Sequence, residues 1–574
     1  MIKKSQQRND PIESAALIDN KADLKAKQEA AKQEIDDDIK YFQTNKFDKL
    51  MVLIGSSAWS FWLIKFGLKT VEQNLQTPIL GVEMGPLGYY QDKSDSQWRS
   101  FIENFHILLS ATIVFLILSK CVKMFCTTQK SKTALMVFNI TMGASMFIYM
   151  FRGGFLFWIF FTFINFVLGK LFSGKKIFPA LLWTFNIALI FLNDKYHGFN
   201  LVDFFHTDLL KGLEDSRKDQ VVSWHIMYNM TMLRVISFCM DMHWAKLQFR
   251  SLKKDKHFAE CDQCQNKIIC LKERQEQFHE IEEYNLLTLY SYMLYLPVLI
   301  QGPPITFNAF YSQIKSPQQT HTFNDKLKYT LRTIFIYVVF EIWIHINFGF
   351  ALATKSENEH IWRKMDSMEL FMCGFNTLMF IWQKFNCLWK YSRCWALWDD
   401  IEVPENMNRC VNNNYCFEGF WRSWHRGFNQ WLIRYIYLPC GGAKTKHWNI
   451  WIVFTYVAIW HDLNINLILW AWGICLCLIP EIGVKQLFKK PKFYKYTRTF
   501  YWKYICAFCG GTYIIFLIFT NLIGFGTGYQ TLILFLQKSF SSITGVFQFL
   551  VGLSITSCVT LYMMEMRVME KKNF

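Results

Sequence analysis

The stretch Trp448-Asn449-Ile450-Trp451-Ile452-Val453-Phe454-Thr455-Tyr456-Val457-Ala458-Ile459-Trp460-His461-Asp462 decides the reading of the fold. It is an apolar run closed by an ionisable ring. A second apolar run, 467–480, follows almost at once. Alone, such a run would suit a core helix of a large soluble protein. The rest of the sequence argues against that. Blocks at 51–68, 107–124, 134–151, 155–172, 178–192, 221–240, 329–353, 369–385, 450–460, 465–482, 504–523 and 544–564 approach the length that crosses a hydrocarbon core of about 30 Å. A further block, 284–300, ends in Gln301-Gly302-Pro303-Pro304 and reads as a short span or a re-entrant segment. The expected fold class is all-α: a polytopic membrane protein with about 11–13 transmembrane or re-entrant helices. Within a bilayer protein, an ionisable side chain between two such runs is a functional candidate by default, and His461 is that residue.

Composition agrees with this reading. The 574 residues are 52% hydrophobic and 18% aromatic, with a formal net charge of +17. On a membrane protein that excess first means basic cytosolic loops. Such a face suits anionic lipid headgroups or a phosphorylated molecule such as coenzyme A. No nucleic-acid motif is present, so no nucleic-acid partner is expected. The 17 cysteines show no secreted disulfide framework. Cys475, Cys477, Cys506 and Cys509 sit within apolar blocks, where they pack as small hydrophobes. The first 40 residues are polar, which excludes a signal peptide there.

The chain divides into a polar cytosolic arm (1–45), a multi-pass membrane domain (46–570) and a short tail (571–574). Lys40, Lys46 and Lys49 precede the first block, and Lys120, Lys123, Lys130 and Lys132 follow the second. The bias places the N-terminus in the cytosol. The end, Glu570-Lys571-Lys572-Asn573-Phe574, resembles a dilysine retrieval signal, so a multi-pass protein of the endoplasmic reticulum membrane is expected. A polar insert (253–283) holds His257, Cys261, Cys264 and Cys270. Cys261-x-x-Cys264 has zinc-ligand spacing, but the usual motif has two such pairs. Reduced loop cysteines and no metal are therefore expected, with Cys261 and Cys264 the weak candidates.

The densest segment lies between Trp395 and Gly442, inside a core of about 390–485. From Phe420 onward, Trp, Phe, Leu and Ile recur at three- and four-residue steps, punctuated by Arg422, His425, Arg426 and Arg434. This is an amphipathic helix lying against or dipping into the membrane, ended by Pro439 and the Gly441-Gly442 pair. Upstream, Arg234 and Asp241 lie seven residues apart in an apolar block, on one helix face. They line a tunnel or make buried polar contacts with other helices.

Here the sequence resembles a known family. Trp421-Arg422-Ser423-Trp424-His425, then Arg434-Tyr435-Ile436-Tyr437-Leu438-Pro439 and Gly441-Gly442, then Trp460-His461-Asp462, look like a membrane-bound O-acyltransferase. The resemblance is to the glycerol-uptake-protein (Gup) branch, related to Hedgehog acyltransferase. Pro404-Glu405-Asn406-Met407-Asn408-Arg409-Cys410-Val411, Gln301-Gly302-Pro303-Pro304-Ile305-Thr306-Phe307-Asn308 and Leu233-Arg234-Val235-Ile236-Ser237-Phe238-Cys239-Met240-Asp241 match the same branch. The resemblance runs from about residue 220 to 485. It implies helices enclosing an acyl-transfer tunnel, acyl-coenzyme A as co-substrate, membrane lipids as partners, and a lipid or lipid-anchored acceptor. The family's near-invariant histidine falls on His461 and its second polar position on His425. Asn429, Arg422, Trp424, Arg434, Arg234 and Asp241 are the candidate substrate-binding residues. The relatives' haem-thiolate position falls on Cys410, with a free buried cysteine as the alternative.

Chemistry supports the pair. Acyl transfer from a thioester to a hydroxyl needs a base, and a neutral imidazole with an unperturbed pKa of about 6.5 suits it. The developing oxyanion needs a donor, which His425, Asn429 or a backbone N–H supplies. The expected function is transfer of a long-chain acyl group from acyl-coenzyme A to a lipid hydroxyl, with the lipid part of a glycosylphosphatidylinositol anchor as the acceptor that the resemblance suggests. The alternatives are acylation of a protein or peptide, transport of a polyol such as glycerol, and an inactive regulatory homologue. Retention of both histidines counts against the last.

Overall fold

The computed structural model describes residues 38–39, 41–85, 88–125, 129–213, 223–248, 257, 261–526 and 528–572. Most of the N-terminal arm and the last two residues, with the signals read there, lie outside these. Among the described residues the fold is all-α apart from one small hairpin, β1 (Val82–Met84) against β2 (Tyr90–Asp92). The principal helices are α1 (Lys46–Gln76), α2 (Phe105–Phe125), α3 (Gln129–Phe151), α4 (Gly154–Phe172), α5 (Phe178–Lys195), α6 (Trp224–Lys246), α7 (Leu271–Glu276), α8 (Leu286–Met293), α9 (Phe307–Lys315), α10 (Phe323–Ile346), α11 (Ser367–Trp398), α12 (Phe417–Ser423), α13 (Arg426–Leu432), α14 (Lys446–His461), α15 (Ile465–Leu487), α16 (Trp502–Phe525) and α17 (Ile543–Lys572).

Among the described residues, eight helices are long and apolar enough to cross a membrane: α1, the 132–151 part of α3, and α2, α4, α10, α15, α16 and α17. Of these, α1, α2 and α10 are the most exposed, whereas α15 and α16 are about half buried against other helices. On α10, Leu327, Leu331, Ile334, Phe335, Val338, Ile342 and Ile346 are exposed at helical spacing. Such a stripe is stable only against lipid tails or another apolar surface.

The remaining blocks also form helices, but of another kind. Those at 178–192, 221–240 and 369–385 fall in α5, α6 and α11, and 450–460 falls in α14. Of these, α6 and α11 are buried on nearly every face and carry buried polar groups: Arg234 and Asp241, and Lys384, Asn386, Lys390 and Arg393. Packed against protein, they need less hydropathy than a lipid-facing span. The block 329–353 does not continue as one helix. It stops at Ile346, and Gly349–Thr354 forms a separate buried turn. The block 284–300 forms two short buried helices, α8 and Leu296–Leu299, rather than a straight span.

The 32 residues of α11 would extend about 48 Å. A capping box opens it, in which Asp366 and Glu369 exchange side-chain and backbone hydrogen bonds. It forms the central post, and its last turns hold the loop that positions the candidate site.

Candidate active site

His461 is the last residue of α14, which has 16 residues and a length of about 24 Å. That is shorter than a hydrocarbon core of about 30 Å, so a helix starting at one interface ends inside the membrane. Asp462 leaves the helix in an extended conformation, its N–H bonded to Ala458 O. Two residues later Asn464 opens α15 by accepting the Asn466 N–H at 2.9 Å. His461 thus stands at the tip of a helical hairpin. The C-terminal end of a helix dipole favours a cation, typically by 0.3–1 kcal/mol. An imidazolium formed there by proton abstraction gains from it.

Aromatic rings fix the imidazole of His461. Trp460 lies 4.8 Å away between ring centroids, Phe525 5.6 Å and Trp470 6.1 Å, all three edge-on. Trp470 is itself held by an Nε1 hydrogen bond to Asn521 at 3.1 Å.

His425 sits between α12 and α13 with φ 44 and ψ 49, a left-handed conformation that a non-glycine residue rarely adopts. Tertiary contacts hold it there. Asn406 acts as a cap supplied from another segment: its carbonyl accepts the Arg426 N–H at 3.0 Å and its side-chain oxygen the Gly427 N–H at 2.9 Å. Glycine is required at 427, because a Cβ would stand 2.7 Å from Asn406 Oδ1. The Asn406 loop is in turn fixed to α11. Glu405 pairs with Lys390 at 3.0 Å and Arg393 at 3.7 Å and accepts the Tyr329 hydroxyl, while Arg393 Nε donates to Val403 O.

The imidazole of His425 packs 4.2 Å from Trp389 and 5.1 Å from Phe428. Phe428 packs 4.5 Å from Trp460, which adjoins His461. One run of rings therefore joins the two histidines, and they are near enough to interact electrostatically. Nδ1 of His425 is buried with no hydrogen-bond partner, an atom that native structures seldom leave so. His461 is exposed and His425 half-buried.

The other sequence candidates divide. Asn429 lies one helical turn beyond His425 and donates its N–H to the His425 carbonyl. Trp424 stacks on Phe420 and meets Trp389 at 6.3 Å, so it backs the His425 wall. Arg422 points outward, 74% exposed, and pairs with Glu418. Arg234 and Asp241 share α6 but serve different partners. Arg234 donates to the carbonyls of Met293 and Val298, closing the broken end of the 284–300 block. Asp241 accepts from Arg434 at 3.1 Å and from the Tyr435 hydroxyl at 3.1 Å. A π-turn, Ile433–Tyr437, presents Arg434 and Tyr435 together, and Arg434 lies over the Trp244 ring.

Cys410 is half-buried, and its carbonyl accepts from Asn413 and Asn414. A cavity of about 260 Å³ lies beside it, lined by Trp59, Phe375, Val411, Asn414 and Leu517 among others, but Cys410 is not on its wall. Neither histidine lines that cavity. Cys261 and Cys264 lie in a separate cluster in the insert. Sequence reasoning missed Trp389, Trp470 and Phe525, since no local pattern links rings on α11, α15 and α16 to a histidine.

Residues 219–523 match the family model of membrane-bound O-acyltransferases. The chain is 31% identical over 487 residues to membrane-bound O-acyltransferase gup1 of Schizosaccharomyces pombe, covering 84% of this chain and 82% of that protein. It is 33% identical over 408 residues to GUP1 of Saccharomyces cerevisiae, covering 70% and 69%. A shorter similarity, 26% over 213 residues, joins it to protein-cysteine N-palmitoyltransferase HHAT of Mus musculus, covering 35% of this chain and 41% of that protein.

Proposed function

This chain belongs to the membrane-bound O-acyltransferase family, and from that premise we propose that it moves a long-chain acyl group from acyl-coenzyme A to a lipid hydroxyl in the endoplasmic reticulum membrane. The lipid of a glycosylphosphatidylinositol anchor is the proposed acceptor. The observation that carries the reading is the aromatic run joining His461 and His425, with neither residue fully buried.

In the proposed reaction, neutral His461 takes the proton of the acceptor hydroxyl as its oxygen attacks the thioester carbonyl. The C–O bond forms and the carbonyl electrons move to oxygen. His425 or a nearby N–H donates a hydrogen bond to that oxyanion. The C–S bond then breaks, and the departing thiolate takes the proton back from the imidazolium. The products are an ester and free coenzyme A. Low polarity round His461 keeps the base neutral between turnovers, and the helix end beside it steadies the transient cation.

A peptide acceptor is the second reading, favoured by the similarity to the mouse palmitoyltransferase. The test is purified protein with labelled acyl-coenzyme A, supplied in parallel with lysolipids, anchor lipids and peptides. Label in a lipid ester, absent with His461→Ala, is the expected result. Label only in peptide selects the second reading. Equal transfer by His461→Ala removes the base assignment.

A further inference from the structure

We propose that His257, Cys261, Cys264 and Cys270 hold a structural zinc ion that fastens the polar insert to the membrane domain. This departs from the sequence expectation of no metal, and it is independent of the acyl-transfer reading. The fold adds two donors to the Cys261-x-x-Cys264 pair. One ligand atom from each of the four residues lies within 4.8 Å of all the others. His257 Nε2 is 3.1 Å from Cys270 Sγ and 3.5 Å from Cys264 Sγ. Tetrahedral zinc, with bonds of about 2.3 Å to sulfur and 2.0–2.1 Å to nitrogen, sets its ligands about 3.5–3.8 Å apart. The four donors need only small side-chain adjustments to reach that.

Donor chemistry selects the metal. Three thiols and an imidazole form a soft set that favours zinc over the oxygen-seeking cations. Four protein ligands fill a tetrahedron and leave no position for substrate, which marks a structural site. The thiols are not engaged in disulfides. Cys264 and Cys270 are buried, and His257 and Cys261 half-buried.

The backbone is shaped to gather the ligands. Cys261 and Cys264 flank the start of a helical turn, Asp262–Gln265, and the Cys261 N–H bonds to His257 O at 2.9 Å. Lys267 then takes a left-handed conformation, φ 62, while Lys267 N bonds to Cys264 O and Ile268 N to Gln263 O. This reversal returns the chain to Cys270, which caps α7 by accepting the Glu273 N–H. Buried Arg274 on α7 donates to Ser312 Oγ, Ser316 O and Pro317 O at the end of α9. Gln313 of α9 exchanges hydrogen bonds with the backbone of Glu402, in the loop that continues to Asn406. The zinc site would lock the first link of that path.

The test is full-length protein purified in detergent through a histidine-free tag from zinc-supplemented cells, with metals counted by mass spectrometry. About one zinc per chain is expected, with at least a fivefold loss in Cys264→Ser and Cys270→Ser. Cys121→Ser and Cys509→Ser, at exposed cysteines elsewhere, should retain it. Wild-type protein with under about a tenth of a zinc per chain overturns the proposal, as does undiminished zinc in Cys264→Ser. A second measurement needs no variant: alkylation of Cys261, Cys264 and Cys270 in the wild type should require a strong chelator. Full alkylation without chelator, or a disulfide within the three, also overturns it.

Discussion

Gly427 donates its backbone N–H to Asn406 Oδ1 at 2.9 Å, so the first turn after His425 is capped by a residue from a different loop. That bond and its neighbour at Arg426 hold the left-handed backbone of His425. Replacing a capping side chain by alanine costs about 0.5–2 kcal/mol. Asn406→Ala should therefore lower the melting temperature modestly and reduce kcat more than it raises KM. Gly427→Ala, whose methyl would meet Asn406, should do the same. Unchanged kcat in both would show that the cap does not position His425.

His461→Ala should remove transfer activity by about 10²–10⁴-fold, the usual contribution of a positioned acid–base group. His425→Ala should also lower kcat, with melting curves for both variants near wild type because neither ring is hydrogen-bonded to another described side chain. Steady-state kinetics beside thermal melts separate chemistry from folding. A large drop in melting temperature for either variant would count against a role confined to the site.

Glu405 makes a pH-dependent contribution to stability. Burial raises its pKa, but Lys390, Arg393 and the Tyr329 hydroxyl outweigh that and hold it below its ordinary 4.5. The folded pKa is depressed, so the stabilisation is full above the unfolded value and is lost as pH falls through the folded one. Glu405→Gln should melt lower than wild type at neutral pH. The two should converge only once the pH has fallen through the depressed folded value, below the ordinary 4.5. Because Lys390 and Arg393 are buried and would lose their partner, the neutral-pH penalty should reach about 2–3 kcal/mol, reduced from the full buried-pair cost by the exposure of Glu405. A constant difference at all pH values would argue against the linkage.

Arg234→Met should destabilise without changing the KM for acyl donor. The guanidinium satisfies the Met293 and Val298 carbonyls. Orphaning buried carbonyls costs about 1–3 kcal/mol. A changed KM at unchanged stability would return Arg234 to the substrate-binding set.

Much of this was legible in the sequence. The lipid-facing helices announced themselves because every side chain on their outer faces must be apolar. His461 stood out because a polar ring at the end of an apolar run needs a reason. The inner helices were harder. Block 369–385 stops well short of the end of α11 at Trp398, since buried Lys390 and Arg393 break the hydropathy signal and are paid for by Glu405 in a loop. The direction of Arg422 was not legible either: it neighbours His425 closely in sequence, yet it faces outward and pairs with Glu418.

The sequence by itself determined that the chain is helical and membrane-embedded, and singled out His461 and His425 as candidates, because lipid imposes length and polarity on each segment separately. Tertiary structure alone decided that Trp389, Phe428 and Trp460 join those histidines, and that Asn406 holds His425 left-handed. It also decided that His257 and Cys270 complete the Cys261–Cys264 pair. Each is a contact between segments distant in the chain, set by which helix faces pack together, and no local periodicity records that choice.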